Sequence, residues 1–215
     1  MEFKDLVINY INELITYNIN LIDYAISNRI PIYVNGNLNK GWKGNVLEHM
    51  LNLKQNSKKG SDYPDLEIKT VPIIKKEDKK IIQETTCLSV IDMNSLIKNS
   101  FENSELYRKI NKTLFIFIDV TDDNFPRIES TCFVNFNNYP EIFKKMEKDY
   151  NNLVEHILDN IYHDEIMDKN FSGKLGEVIQ PRPKNGKNGD YTWAFYLKKD
   201  FLNNLINVKK FKIKP

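Results

Sequence analysis

The sequence predicts a single α+β domain over residues 1–215. Three observations lead to this prediction. A hydrophobic content of 41% is enough for one good core, or for one core with two lobes. Helical and strand-like hydrophobic patterns follow one another along the same chain. Repeats, linkers and low-complexity segments are not found in the sequence.

The N-terminal part of the chain has a helical pattern. Apolar residues at helical spacing between residues 3 and 28 predict a helical region that is interrupted near residues 17–20. The Asn- and Gly-rich stretch 33–45 predicts a loop. Helical spacing then resumes in the sequence WKGNVLEHMLNL, and we expect Glu48 to lie on this helix.

The middle of the chain contains strand patterns. Alternation and β-branched residues predict strands at 66–74, 85–92 and 113–120, and residues 104–112 predict a short helix or turn before the last of these. The nearly unbroken apolar run in 113–120 predicts burial on both faces. The lysine-rich segment 75–80 predicts an exposed hairpin loop between the first two strands.

The C-terminal part predicts a fourth strand, a long helix and a second group of strands. The sequence CFVNF predicts the strand, and residues 140–169 predict one amphipathic helix. A strand, a Gly-rich basic loop containing the sequence PRPK, another strand and a closing helix are expected to follow. In the sequence YTWAFYL, alternation places Trp193 and Phe195 in the core and Tyr196 on the opposite face.

The net charge of +2 is unevenly distributed. Residues 171–215 contain ten Lys or Arg and three Asp or Glu, so this segment carries +7 and the remainder carries −5. Such a basic segment fits a surface that contacts the phosphates of a nucleic acid. A solvated lysine-rich tail explains the same charges, and charge alone does not separate the two interpretations.

Several classes of protein are disfavoured by composition and spacing. The longest apolar runs fall short of the roughly 20 residues of a membrane span, and the N-terminus lacks a signal-peptide layout, so we expect a cytoplasmic protein without a membrane partner. Cys87 and Cys132 lack the spacing of a zinc site, and we expect buried thiols. His49, His156 and His163 lack metal-ligand spacing and receive no catalytic role.

An acidic and basic cluster lies at the start of the predicted strand 66–74. Asp65, Glu67 and Lys69 would share one face of an extended strand, with neighbours roughly 6.5 to 7 Å apart. Clustered carboxylates suit a hard cation such as Mg²⁺, and a neighbouring lysine could orient or help deprotonate a water that attacks a phosphodiester. This pattern indicates a metal-dependent nuclease. An exposed edge strand with an ion pair worth less than about 1 kcal/mol would read the same way.

Five sequence blocks in order resemble one family of nucleases. They are KGWKGNVLEHML, KTVPI, ETTCLSV, RPK and FYLKKDF, and they extend from about Lys40 to Phe201. This set resembles the MutH mismatch-repair endonucleases and the related GATC-specific type II restriction enzymes. The resemblance implies a restriction-endonuclease-like α/β core with a mixed sheet flanked by helices. It also implies an N-terminal catalytic lobe and a C-terminal recognition lobe that form a cleft around duplex DNA.

The resemblance also implies the site residues and Mg²⁺ as the cofactor. The expected catalytic residues are Glu48, Asp62, Glu67, Lys69 and Lys109. Of these, Asp62, Glu67 and Glu48, with the main-chain carbonyl of Ile68, are expected to bind the metal. The family has two more residues between the aspartate and its E-x-K pair, so Asp65 is the substitute candidate for Asp62.

The same resemblance assigns DNA contacts to the basic C-terminal part. Arg182 and Lys184, in a loop stiffened by prolines, are expected to read base edges of GATC in the major groove. Tyr196 matches the family's tyrosine that lies against the adenine. Lys198 and Lys199 are expected to contact phosphates, and Lys187 belongs to the same DNA-binding set. A solvent-exposed loop with incidental charge is the alternative.

Three functions fit these residues. A type II restriction endonuclease cutting GATC is placed first, because the DYPDLEIKT stretch and the loops diverge from MutH and because the Lys, Asn and Ile bias suggests an AT-rich genome. A MutH-like enzyme that nicks the unmethylated strand at hemimethylated GATC with a MutL partner is the alternative. A non-cleaving module that senses GATC methylation is the third. Double-strand cleavage would need a homodimer on the DNA, which we predict, or two successive nicks.

Overall fold

The computed structural model describes residues 2–53, 63, 66–77, 79–160, 175–185 and 191–207. Its helices are α1 (Phe3–Tyr17), α2 (Leu21–Ser27), α3 (Trp42–Met50), α4 (Met93–Lys98), α5 (Glu105–Ile110), α6 (Pro140–Asp159) and α7 (Lys199–Asn207). Its strands are β1 (Tyr33–Val34), β2 (Asn37–Leu38), β3 (Glu67–Lys76), β4 (Lys79–Ile82), β5 (Thr86–Val90), β6 (Lys112–Asp119), β7 (Arg127–Asn135), β8 (Ile179–Asn185) and β9 (Tyr191–Leu197). Among the described helices, none combines the length and apolar character needed to cross a membrane.

Two larger sheets and a small hairpin make up the β-structure of the described residues. The first sheet has the order β4-β3-β6-β7, in which β3 is parallel to β6 and the outer pairs are antiparallel. The second sheet is antiparallel and has the order β5-β9-β8. The predicted α+β fold with a mixed sheet flanked by helices is confirmed.

Strand β6 lies between two hydrophobic cores. Leu114, Ile116 and Ile118 pack on one side with α1, α2 and α3. Phe115 and Phe117 pack on the other side with the helices from α4 to α7 and with the second sheet. Because β6 has a strand on each edge and a core on each face, its apolar run is nearly continuous, as predicted.

The predicted interruption of the N-terminal helix is confirmed. Asn18 ends α1 in the left-handed conformation with φ 50°, and the Asn20 side chain then accepts a 2.9 Å hydrogen bond from Ile22 N at the start of α2. The predicted loop at 33–45 contains the β1–β2 hairpin instead. Its turn is formed by Asn35 and Gly36 with φ 50° and 76°, which matches a two-residue hairpin turn with both central residues at positive φ.

The predicted lysine-rich loop at 75–80 is wrong. β3 continues to Lys76 and β4 begins at Lys79, so all four of these lysines lie in paired strands. Lys75 Nζ lies 3.1 Å from Asp119 Oδ2 and 2.6 Å from Glu129 Oε2. The acidic partners come from β6 and β7, and they allow a lysine to be half-buried in the sheet. Strand β5 pairs with β9, so the first two predicted strands do not form a hairpin with each other.

The PRPK sequence is also not a loop. It lies within β8, where Arg182 pairs with Ala194 and Lys184 pairs with Thr192 of β9. Proline cannot donate to a strand ladder and is therefore confined to edge strands or bulges. Because β8 is an edge of its sheet, it accommodates both prolines.

The long helix is confirmed up to Asp159. Met146, Tyr150, Leu153 and Ile157 form its buried stripe, as predicted. The remainder of the predicted helix, with Ile161 and His163, lies outside the described residues. The stripe packs under the second sheet, where Phe195 is buried and Trp193 is partly buried, as the alternation predicted.

Candidate active site

A cleft of about 920 Å³ follows the part of β3 that β4 does not cover. The register pairs β4 with residues 73–76 of β3, whereas residues 67–73 pair with β6 on the opposite edge. The cleft walls come from α3, β3, β5, α5, β8 and β9. Described polar residues that line it are Lys40, Asn45, Glu48, Lys69, Thr70, Glu84, Thr85, Thr86, Cys87, Ser89, Lys109, Lys184 and Tyr196.

Glu67 and Lys69 form an ion pair at the start of β3. Lys69 Nζ lies 2.5 Å from Glu67 Oε1, and the Glu67 side chain is only 3% exposed. The two side chains share a face because they are two residues apart in a strand. The sequence prediction that this glutamate and this lysine lie together is therefore confirmed. The alternative interpretation, an exposed ion pair on an edge strand, does not fit, because the Glu67 carboxylate is buried.

Glu48 enters the same cleft from α3. Val46, Leu47 and Met50 are buried and fix this helix against the first core, so Glu48 is turned towards the cleft. The helix lies close to β3, since a Cβ added at Gly44 would lie 3.8 Å from Thr70 Oγ1.

The donor groups at this edge suit a hard cation. The carboxylates of Glu67 and Glu48 and the main chain of Ile68 supply only oxygen ligands, which Mg²⁺ prefers. The described residues contain no group of three or more His, Cys, Asp or Glu arranged to hold a metal. Asp62 and Asp65, the remaining predicted ligands, lie outside the described residues.

Lys109 approaches the same end of β3 from α5. Ser104 caps this helix by accepting a 3.0 Å hydrogen bond from Tyr107 N. Lys109 lines the cleft, and its Nζ lies 3.9 Å from Glu105 Oε1 one turn earlier. The helix leads directly into β6, where Thr113 pairs with Glu67, so Lys109 is brought close to the ion-paired end of β3.

Tyr196 lines the cleft on the wall opposite β3, and Arg182 lies against this wall. The Arg182 guanidinium donates a 2.8 Å hydrogen bond to Thr85 Oγ1, and its Cζ lies 5.8 Å from the centre of the Tyr196 ring. Burial, and then the neighbouring Cys87, raise the pKa of Tyr196 to about 12. The phenol is therefore un-ionised at neutral pH. Lys184 is exposed and lines the cleft.

The other lysines assigned to DNA have different surroundings. Lys198 Nζ donates a hydrogen bond to the Gly176 carbonyl oxygen, and Lys199 is the exposed first residue of α7. Neither is among the described residues that line the cleft. Lys187 lies outside the described residues. Their phosphate contacts stay predictions.

Several cleft residues received no role from the sequence. Glu84 and Thr85 lie in the ETT block, which was used only for the resemblance, and Lys40 lies in the loop before α3. The spacing of these residues carried no signal, because only the tertiary fold brings the segments together. Cys87 lines the cleft and is partly exposed, so the expectation of a buried thiol is wrong there. That expectation is confirmed for Cys132.

Lys43 is a partly buried lysine on α3. Its ammonium lies 5.0 Å from the centre of the Trp42 ring. Burial lowers the pKa of Lys43, and the nearby carboxylates of Glu84 and Asp123 oppose this effect. Glu84, one of these two acids, lines the cleft.

The chain is similar to known proteins over most of its length. A family model described as DNA mismatch repair enzyme MutH matches residues 51–149, which include Glu67, Lys69 and Lys109. A DNA mismatch repair protein MutH from Pasteurella multocida is 27% identical over 203 residues, covering 86% of both chains. The MutH protein from Haemophilus influenzae strain KW20 is 29% identical over 202 residues, covering 83% of both chains. The chain is similar to the MutH-like, restriction-endonuclease-like family.

The MutH-like similarity extends beyond the range of the family model. The MutH protein from Pectobacterium atrosepticum is 27% identical over 208 residues, covering 87% of this chain and 84% of that relative. Such coverage takes in most of both sheets, whereas the family model ends at residue 149, before β8 and β9. The strand β3 with Glu67 and Lys69, and α5 with Lys109, therefore lie within the residues that the family model matches, whereas Glu48, Arg182 and Tyr196 lie outside them.

Proposed function

We propose that this chain is a metal-dependent endonuclease that hydrolyses phosphodiester bonds in duplex DNA. The observation that carries the proposal is the buried Glu67–Lys69 pair at the uncovered edge of β3. Glu48 and Lys109 line the same cleft. Two acids and two lysines of this kind are the groups needed to bind a cation, orient a water and stabilise a phosphate.

Each side chain has a distinct role in the proposed reaction. Glu67, the main chain of Ile68 and Glu48 would hold the magnesium ion, with Asp62 or Asp65 as the predicted further ligand. When bound, magnesium supplies positive charge to the phosphate and lowers the pKa of a coordinated water. Lys69 orients the attacking water beside Glu67. Lys109 stabilises the negative charge that develops on the scissile phosphate.

The proposed substrate is a GATC site in duplex DNA, read from the wall opposite β3. Arg182 and Lys184 would contact base edges, and Tyr196 would lie against the adenine. We place the mismatch-repair function first: nicking of the unmethylated strand at hemimethylated GATC, together with a MutL-like partner. The names of the relatives favour this function over the restriction enzyme that the sequence placed first.

A restriction endonuclease is the second candidate, because the family model covers β3 with Glu67 and Lys69 but not the strands that carry Arg182 and Tyr196. β8 and β9 lie outside residues 51–149, and the relatives named above are 27 to 29% identical. The DNA contacts can therefore differ from those of the relatives while Glu67, Lys69 and Lys109 keep the same roles. The ion pair of Glu67 with Lys69 disfavours the third candidate, a non-cleaving methylation sensor.

One experiment separates these candidates. The protein is incubated with Mg²⁺ and duplexes that carry one GATC site, either unmethylated, hemimethylated or fully methylated, with and without a MutL homologue. We expect slow nicking of the unmethylated strand that MutL accelerates. Double-strand fragments from unmethylated DNA without MutL would favour restriction.

One control variant and two further outcomes complete this test. Glu67→Gln should bind DNA without cutting it, and cleavage by this variant would contradict the proposed site. DNA binding by the wild type without any product would favour the methylation sensor. A homodimer is expected on the DNA only for double-strand cleavage, and a one-to-one complex during such cleavage would contradict it.

A further inference from the structure

A buried aspartate on α6 binds the segment that leads into β8. Asp149 is 5% exposed and lies on the apolar face of the helix. Its Oδ1 accepts a 2.8 Å hydrogen bond from Glu177 N, and its Oδ2 accepts bonds of 2.8 Å from Val178 N and 3.0 Å from Ile179 N. A buried carboxylate is costly unless such bonds compensate its lost hydration, so this geometry is strongly specified.

The same segment is fixed from its other side. Gly176 has φ +86°, and a Cβ there would lie 1.8 Å from the Ile179 carbonyl oxygen. Lys198 Nζ donates a hydrogen bond to the Gly176 carbonyl oxygen, and Lys198 N donates a 2.9 Å bond to the Val178 carbonyl oxygen. The chain between Gly176 and Ile179 is therefore held by α6 and by the end of β9 together.

This segment sets the register of the strand that carries Arg182. The register pairs Ile179 with Leu197 at the start of β8 and Arg182 with Ala194 three residues later. A slip of one residue would turn Arg182 away from Tyr196 and towards the core face. The approach to β8 thus decides whether Arg182 and Lys184 face the cleft.

The β8 strand needs this additional support. It is an edge strand, so among the described strands only β9 pairs with it. Pro181 and Pro183 have no N–H with which the outer edge of β8 could bind a further partner. The anchor at residues 177–179 adds three charge-assisted bonds immediately before the prolines.

We propose that Asp149 is a positioning residue for DNA recognition, which sets the register of β8 and so aims Arg182 and Lys184 into the cleft. This inference rests on the proposed function of the cleft as a DNA-binding site. Asp149 acts through the strand and does not touch DNA itself.

The first test measures the anchor without DNA. Asp149→Asn replaces one acceptor oxygen by an NH₂ group that cannot accept from a main-chain N–H. We expect hydrogen exchange of the Glu177, Val178 and Ile179 amides to accelerate about tenfold or more. Lys145→Ala is the matched control, because Lys145 lies on the same helix as Asp149. Its ion pair with Glu177 is half-exposed and contributes little to stability. Exchange in the control should stay at the wild-type rate.

The second test measures sequence discrimination in the intact protein. The ratio of Kd values for a duplex with one single-base substitution and for the GATC duplex should fall about tenfold for Asp149→Asn, because Arg182 is no longer aimed at its base. Binding to unrelated duplex and kcat at saturating GATC duplex should stay near the wild-type values. A merely structural role would lower the active fraction of protein and leave the Kd ratio unchanged.

The outcomes are distinct. Wild-type exchange rates, or accelerated exchange with an unchanged Kd ratio, would overturn the proposal. If Asp149→Asn does not accumulate as folded protein, Gly176→Ala takes its place, because the added Cβ displaces the same segment. Amide exchange and the Kd ratio then decide on the proposal in the same way. If the wild type itself shows no site preference, the proposed function is wrong, and the amide exchange rates still decide whether Asp149 is the anchor.

Discussion

The guanidinium carbon of Arg182 lies 5.8 Å from the centre of the Tyr196 ring, and the same guanidinium donates a 2.8 Å hydrogen bond to Thr85. The three residues come from β8, from β9 and from the segment before β5. They hold the Arg182 side chain against the cleft wall in the absence of DNA. A side chain that is ordered beforehand loses less conformational entropy on binding.

We expect Thr85→Val to weaken binding to the cognate duplex because it removes the acceptor that orients Arg182. A hydrogen bond to a charged group is worth about 1.5 to 3 kcal/mol, which corresponds to about tenfold to 150-fold in Kd. The measurement is a fluorescence titration with cognate and base-substituted duplexes. Thr16→Val on the exposed surface of α1 is the control, and equal affinities for both variants would contradict the role of Thr85.

We expect Lys69→Met to lower the single-turnover rate on the order of 10²-fold to 10⁴-fold, because the ammonium that orients the attacking water is lost. DNA affinity should change little. Lys76→Met, at the exposed end of the same strand, removes an equal charge and should leave the rate unchanged. A thermal melt verifies that both variants are folded, and similar rates for the two would refute the assignment.

We expect Lys109→Ala to slow the chemical step about 10²-fold to 10³-fold, because one group that stabilises the developing charge on the phosphate is removed. Arg108→Ala is the matched variant, since Arg108 is the exposed neighbour on α5. Rapid-quench kinetics at saturating DNA would separate the chemical step from binding. The assignment fails if Arg108→Ala is as slow as Lys109→Ala.

The ion cluster at the far end of β3 predicts a pH dependence of stability. Burial alone would raise the pKa of Asp119, but hydrogen bonds from the Thr121 hydroxyl and N–H and from Lys75 outweigh it, so the pKa is lowered. A lowered pKa in the folded state means stability that is present above the unfolded-state pKa of an aspartate. This stability is lost as the pH falls through the folded-state value.

We therefore expect Thr121→Val to raise the pH at which acid unfolds the protein. It should also lower the free energy of unfolding at neutral pH by about 0.5 to 1.5 kcal/mol, because it removes the 2.6 Å hydrogen bond that the Thr121 hydroxyl donates to Asp119 Oδ1. Urea unfolding across the acid range measures both effects. An acid midpoint equal to that of the wild type would contradict this account of Asp119.

Much of the fold follows from local patterns. The alternation of β3, the unbroken apolar run of β6 and the stripe of α6 each report their own burial, so their positions can be read from a short window. The Glu67–Lys69 pair belongs to the same class, because two residues of one strand necessarily share a face.

The parts that were missed depend on partners far along the chain. Lys75 is a strand residue because Asp119 and Glu129 neutralise it, and no short window contains all three. Arg182 lies in a strand because β8 forms an edge, which local proline statistics do not reveal. Asp149 interrupts the apolar stripe of α6, and that interruption is the signal from which its buried contacts could have been suspected.

Strand β6 gives its odd-numbered and even-numbered apolar side chains to different cores. If one core loses its packing, one face of β6 becomes exposed to water. The other core packs on the opposite face of the same strand and is therefore weakened as well. We therefore expect heat or urea to unfold the protein in one cooperative transition. We also expect that a fragment lacking α1 to α3 does not preserve the contact between Arg182 and Tyr196. The proposed catalytic and DNA-contacting surfaces would then lose their structure together.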